Sequence, residues 1–355
     1  MTTTMMTTTV MTTTRVRSGF ALLARATGAP GPTLVLDLNA LPSDEAELEA
    51  ALTRIRLRLR ESRGHGRHAA PGGDEVLKWA LIAPSAHPLF DVDYRFVQAM
   101  PDAVDHFDAT GNCGHSLLAA ITAAAEAGWL PALRPGDRIR ARVLNNGDQV
   151  VCQVDETAHG PDGGHVVFTA HFVAPPGTAL GRLLRDGGRV VRMANPYLFV
   201  DASKLGVRGR EELFRGEHLD LYAALGSMRR EQAGRLGWRL DGAFPKVAAV
   251  VPVAPGQLAV RALTVGGWHP GLALTGAVCL AAASALEGTV PYRLLRAHGT
   301  PPIPGSVLID TPSGRVTAAC SATGEGADDE LLWVSVGGKE ARLLGRVELE
   351  AGDVR

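Results

Sequence analysis

The chain has 355 residues, a formal net charge of −1, 46% hydrophobic residues and 21% charged residues. That balance fits one large or two medium globular domains and gives no electrostatic reason to expect nucleic acid or an anionic membrane as partner. Four widely spaced cysteines form no CxxC pair, which argues against a structural zinc site or a redox dithiol and fits a cytoplasmic location.

The opening stretch, residues 1–14, is threonine-rich and low in complexity. It lacks the basic start and apolar core of a secretion signal and reads as a disordered lead-in. Further on, Gly64-His65-Gly66-Arg67-His68 reads as a glycine-rich loop.

Two stretches then repeat one pattern. Lys78-Trp79-Ala80-Leu81-Ile82-Ala83-Pro84 matches Lys246-Val247-Ala248-Ala249-Val250-Val251-Pro252, with lysine and proline six positions apart in both. Each is followed by a second apolar run, a glycine-bearing loop and an alanine-rich segment. With Cys113 set against Ala273, each alanine-rich segment ends in a proline eighteen positions later. Equal intervals in two stretches point to duplicated units.

Each unit reads as strand, turn, strand, loop and helix. Strands are expected over 78–84, 93–99 and 258–263, and helices over 116–127 and 275–286. The helices are apolar nearly all round, so each belongs at the centre of its lobe. The run 272–286 is too short for a membrane span. Alternating patterns predict strands over 138–144, 149–156 and 165–172, with a turn at Asn145-Asn146-Gly147. A short helix is expected over 179–184, a strand over 197–200, a mostly helical segment over 208–236, and strands over 307–310, 314–320, 331–336 and 341–350.

The loop-to-helix junctions carry the chemistry. A helix start presents unpaired N–H groups and a partial positive charge, which suits a carboxylate. Cys113, in Gly111-Asn112-Cys113-Gly114-His115, stands at the first junction, where a thiol is acidified and can act as acid or base. The competing reading is a small buried hydrophobe, the role assigned to Cys152, Cys279 and Cys320. Lys78 in an apolar cleft can lose its proton near neutral pH and serve as a proton-transfer group, while a solvated strand-end lysine is the commoner fate of such a residue and Lys78 does not stand out on its own. His115 and His269 lie beside the helix starts, where they either orient a carboxylate or close the loop. Ser116 and Thr275 are ordinary capping types. The histidines show no metal-ligand spacing.

These residues resemble a known family. Gly72-Gly73-Asp74, Lys78-x-Ala80-x-Ile82-x-Pro84-Ser85, Asp91-Val92-Asp93-Tyr94-x-Phe96-x-Gln98 and Gly111-Asn112-Cys113-Gly114 are similar to the PrpF family of the diaminopimelate-epimerase-like superfamily. Asn195-Pro196-x-x-Phe199-Val200-Asp201-Ala202, Pro245-Lys246-Val247-Ala248, His269, Leu274-Thr275-Gly276-Ala277 and Pro312-Ser313-Gly314 resemble its second half. The likeness spans roughly residues 70 to 320.

The resemblance implies an α+β fold of two pseudo-symmetric lobes, each a mostly antiparallel barrel-like sheet around a central helix. The expected division is a first lobe over 15–190, completed by the last strand within 340–355, and a second lobe over 191–339. It implies an isomerase or tautomerase that moves a C=C bond by 1,3-proton transfer in a conjugated carboxylate or carbonyl compound, without cofactor or metal. Methylaconitate isomerases and oxalomesaconate tautomerases belong to the family. Carried over, Lys78 and Cys113 are the catalytic pair. Asn112, Gly114, His115, Ser116, Asn195, His269, Thr275, Gly276 and Ser313 are the candidate substrate-binding residues. The related epimerases place a second cysteine where Ala273 stands here, which disfavours a symmetric two-thiol racemase.

One departure bears on the substrate. The family opens its first lobe with an Arg-Gly-Gly-Thr-Ser-Lys-Gly loop, and the corresponding segment here, Thr27-Gly28-Ala29-Pro30-Gly31-Pro32-Thr33, has no cation. Loss of charge-assisted donors argues against methylaconitate and for a larger or less charged molecule. The expected partner is a small-molecule substrate, with no nucleic acid or membrane, and a homodimer is compatible with the reading. A scaffold repurposed for a cyclisation or rearrangement in specialised metabolism, or a non-enzymatic accessory protein, are the competing readings. Solvent deuterium incorporation separates proton transfer from cyclisation.

Overall fold

The structure, a computed structural model, describes residues 20–61, 75–158, 164–173, 190–299, 303–326, 329–350 and 352–354. The lead-in, the loop Gly64 to His68 and the helix expected over 179–184 lie outside the described residues.

The first lobe begins with β1 (Ala21–Ala26), β2 (Thr33–Asp37) and helix α1 (Glu45–Glu61). Strands β3 (Lys78–Pro84), β4 (Val92–Ala99) and the short β5 (Phe107–Asp108) follow, and then helix α2 (Gly114–Glu126). Strands β6 (Arg138–Val143), β7 (Gln149–Ala158) and β8 (His165–Val173) complete it in sequence.

The second lobe repeats that order. It runs through β9 (Val190–Met193), β10 (Asn195–Asp201), helices α3 (Arg210–Leu213) and α4 (Leu219–Arg235), β11 (Lys246–Ala254), β12 (Gln257–Thr264) and β13 (Gly267–Trp268). Helices α5 (Leu274–Ala285) and α6 (Val290–Arg296) precede β14 (Ser306–Thr311), β15 (Gly314–Ala322) and the long β16 (Leu331–Arg346).

Pairing senses match between the halves. β2 lies parallel to β3, β3 antiparallel to β4, and β4 parallel to β6. β10 likewise lies parallel to β11, β11 antiparallel to β12, and β12 parallel to β14. The first lobe is closed, because β16 pairs with both β8 and β1. The second is open: among the described residues β9 pairs only with β10. The fold is therefore α+β, with two barrel-like lobes each wrapped about a helix.

Strand parity explains how the layers form. In β3, Ala80 and Ile82 face the main core while Trp79 and Leu81 face a second cluster under α1. In β11, Ala248 and Val250 face the same main core while Val247, Ala249 and Val251 pack beneath α4. Strands covered on both faces read as unbroken apolar runs, which is why period-two alternation was faint in KWALIAP and KVAAVVP. The central helices α2 and α5 bury almost every residue, and their side chains share one core across both lobes.

One expectation is corrected. Strands anticipated separately over 331–336 and 341–350 are a single strand ending at Arg346. Gly337-Gly338 looks like a break in sequence. The pair instead forms a bulge between Val336 and Lys339, with Gly338 at φ 65° and pairing to β8 resuming beyond it. A bulge absorbs the extra backbone without ending the ladder. No single helix among the described residues is long and apolar enough to cross a membrane.

Candidate active site

Residue parity places two lysines at equivalent points. Lys78 shares the inward face of β3 with Ala80 and Ile82, and Lys246 shares that of β11 with Ala248 and Val250. Lys78 stands opposite Thr33 on the parallel neighbour and Gln98 on the antiparallel one. Lys246 stands opposite Tyr197 on its parallel neighbour. Both lysines line one small cavity between the lobes, of about 40 Å3.

The two central helices start at that cavity. Asn112 and Cys113 bring the beginning of α2 to it, and Ala273 and Thr275 bring the beginning of α5. The starts touch: a Cβ on Gly114 would fall 2.5 Å from Leu274 Cδ2, and one on Gly276 would fall 2.7 Å from the Tyr197 hydroxyl. The glycines at these junctions thus admit other parts of the protein. Gly111 does the same for the Phe244 ring, 2.1 Å from where its Cβ would stand.

Asn195 ties the lobes at this point. Its Oδ1 accepts from the Asn112 amide at 2.9 Å, and its Nδ2 donates to the Asn112 carbonyl at 2.6 Å and to Thr275 Oγ1 at 3.1 Å. Asn112 Nδ2 donates to Asp148 at 3.5 Å, and its Oδ1 meets no hydrogen-bond partner among the described residues.

Cys113 occupies the N-cap position of α2 and makes no side-chain cap bond, while Tyr94 donates to its carbonyl at 2.9 Å. Burial pushes its thiol up, but Lys78, Ser116 and, more weakly, Lys246 outweigh that and hold it below the ordinary value. A cation and a helix start both favour the thiolate. The other thiols go the opposite way. Burial raises Cys152, lifts Cys279 to about 12 and Cys320 to about 11.

Lys246 is brought down to about 8, chiefly by burial, with Asp108 opposing the shift and Lys78 adding to it. Its Nζ lies 5.1 Å from the centre of the Phe244 ring. His269 is driven down to about 3 by burial and by Lys78 and Lys246, so it is neutral. Its Nδ1 accepts from the Gly271 amide at 3.1 Å, and its Nε2 is unpartnered among the described residues. His115 is also held well below its usual value, by burial and then by Lys339.

Of the residues singled out from sequence, Lys78, Asn112, Cys113, Asn195, His269 and Thr275 line the cavity together. The others stand behind that wall. Gly114 packs against Leu274 of the opposite lobe, and Gly276 against Tyr197 and Leu272 of its own. Ser116 shares a hydrogen bond of 3.1 Å with Thr33. His115 is 6.2 Å from His269, ring centre to ring centre, with both its nitrogens unpartnered among the described residues. Ser313 pairs with Thr311 beside Gly271.

Asp108 and Phe244, which also line the cavity, carry no signal in the sequence, and Lys246 stands out there only as the counterpart of Lys78 in the repeat. Lys339, 7% exposed on β16 and brought down to about 8 by burial, carries no signal either. The lysine repeat was the one signal that pointed to Lys246. Among the described residues no group of three or more His, Cys, Asp or Glu side chains could hold a metal ion.

Comparison with known proteins gives the chain's relatives. Residues 170–344 match the family model described as "PrpF protein". The chain is 30% identical over 294 residues to an Escherichia coli (strain K12) protein named as an isomerase, YbhH, covering 75% of this chain and 81% of that one. It is 26% identical over 287 residues to the 3-methylitaconate isomerase of Eubacterium barkeri, covering 67% and 74%. A solved methylitaconate-delta-isomerase superposes with a TM-score of 0.63 at 20% identity, over 95% of this chain and 97% of that one. A hydroxyproline epimerase from Agrobacterium vitis superposes with a TM-score of 0.56 at 16% identity, over 94% and 92%; both superpositions establish the shared fold.

Proposed function

The chain is an isomerase of the PrpF family, and from that premise we propose that it moves a C=C bond within a conjugated carboxylate by 1,3-proton transfer. The observation that supports this most is Lys78 and Cys113 on the wall of one buried cavity that both helix starts face. The carboxylate settles at those starts, where amide dipoles and Lys78 and Lys246 favour its charge. Conjugation to the carboxylate acidifies the allylic C–H. The Cys113 thiolate takes that proton, the double bond shifts as a dienolate forms, and the Lys78 ammonium returns a proton at the far allylic carbon. The resulting thiol and amine then exchange one proton to restore the starting state. Ala273, at the position facing Cys113 in the repeat, has no titratable atom, which favours an asymmetric lysine-plus-cysteine isomerase over a two-thiol epimerase.

The substrate is a conjugated carboxylate other than methylaconitate, because the segment from Thr27 to Thr33 supplies no cation. The test is incubation in D2O with 3-methylitaconate or a related 2-alkylidene acid, followed by NMR. Label enters at the carbon that receives the proton, the new methyl group of an isomerised 3-methylitaconate, and Cys113→Ser and Lys78→Ala each abolish it. Full turnover in both variants would remove the assignment, and product without label would favour a shape-driven rearrangement.

A further inference from the structure

The reacting cavity, at about 40 Å3, is far smaller than the roughly 300–1,000 Å3 typical of small-molecule sites. Immediately beside it lies a cleft of about 360 Å3, which shares Asp108, Ala243 and Phe244 with it. Both lobes build this cleft: Phe107 and Thr110 come from the first, Arg192, Pro196 and Trp238 from the second. The Phe244 ring, seated on Gly111, belongs to both linings. Small and large space together reach the range that holds a real ligand, whereas the small one alone does not.

We propose that this cleft is a substrate subsite, and that it takes a flat aromatic substituent of the conjugated carboxylate whose reacting end lies at Cys113. The proposal rests on the isomerase reading above. The chemistry of the lining selects the substituent. Phe107, Pro196, Trp238 and Phe244 give an apolar floor and edges that suit offset ring packing. Two polar groups of the rim are already engaged: His106 with Asp102 at 2.8 Å and Arg239 with Asp241 at 3.0 Å. Arg192 is exposed and carries no ion pair among the described residues, so its guanidinium is free to lie over a ring. A substrate consisting only of short carboxylate arms would leave this apolar surface wet.

The experiment is calorimetric binding of two probes, methylmaleate and phenylmaleate, which differ by phenyl in place of methyl. The wild-type chain binds phenylmaleate at least about tenfold more tightly, as burial of a ring against apolar side chains requires. Trp238→Ala, which removes the ring from the cleft, and Thr110→Trp, which fills it from the exposed rim, each cut that ratio to about threefold or less. Both leave methylmaleate binding unchanged. Equal affinities for the two probes in the wild-type chain, or a ratio that survives both substitutions, overturns the subsite while leaving the isomerase reading intact. Binding of neither probe overturns the conjugated-carboxylate reading and the subsite with it.

Discussion

The two lobes share strand order, pairing sense and a buried central helix, yet differ where those helices begin. The first lobe is closed by β16 and places Cys113 at its helix start; the second is open among the described residues and places Ala273 there. The lysine is kept in both, at Lys78 and Lys246. A duplicated scaffold fixes backbone positions through parity and register, whereas the reactive atom depends on a single side chain and is lost or kept independently. The cleft between the lobes is thus symmetric in its frame and asymmetric in its chemistry.

The sharpest way to break that asymmetry is to remove the sulfur or its facing amine. Cys113→Ser and Lys78→Ala should each reduce isomerase turnover by roughly a hundred- to ten-thousandfold, the usual contribution of a positioned acid or base. Circular dichroism should show both variants folded. Equal activity of either variant and wild type would mean that the first lobe holds no special chemistry.

The second lobe's lysine should announce itself through pH. Lys246 is held at about 8 in the fold, against roughly 10.4 for a free lysine. Between those values the unfolded chain binds more protons, so stability rises with pH across that window. The rise from this residue is on the order of 3 kcal/mol, and Lys339, also near 8, adds to it. Urea titrations from pH 7 to 10.5 should show the increase, and Lys246→Met should flatten it. An unchanged slope in the variant would place the ammonium in water.

The junction between the lobes is tested by Asn195→Ala. It strands the buried amide and carbonyl of Asn112, which costs about 1–3 kcal/mol, read as a lower urea midpoint together with weaker substrate binding. Gly114→Ala should cost about 1–2 kcal/mol, because its methyl group enters the space of Leu274 and wedges the helix starts apart. A neutral outcome for both would show that the helix starts are not held in contact.

Much of this frame was readable from the chain. The matched lysine-to-proline spacing gave the duplication, and all-round apolar helices gave the two centres. Cys113 was readable because a reactive residue between glycines before a helix is a local pattern. Lys339 was hidden by a bulge that looks like a strand end, and only pairing with β8 turns it inward. Phe244 was invisible because the segment before β11 has no periodicity, and its role comes from a contact with Gly111, more than a hundred residues away.

The most direct measurement is the pH dependence of Cys113 alkylation by iodoacetamide, followed by peptide mass mapping in wild type and in Lys78→Met. Cys152, Cys279 and Cys320 lie off the cavity between the lobes and are held as thiols by burial, whereas Cys113 lines it and is shifted the other way, so the reaction reports on one sulfur. A midpoint below that of free cysteine, about 8.5, which moves upward in Lys78→Met, is the predicted result. A midpoint at or above 8.5 that ignores the substitution would contradict a thiolate facing Lys78 across one cavity.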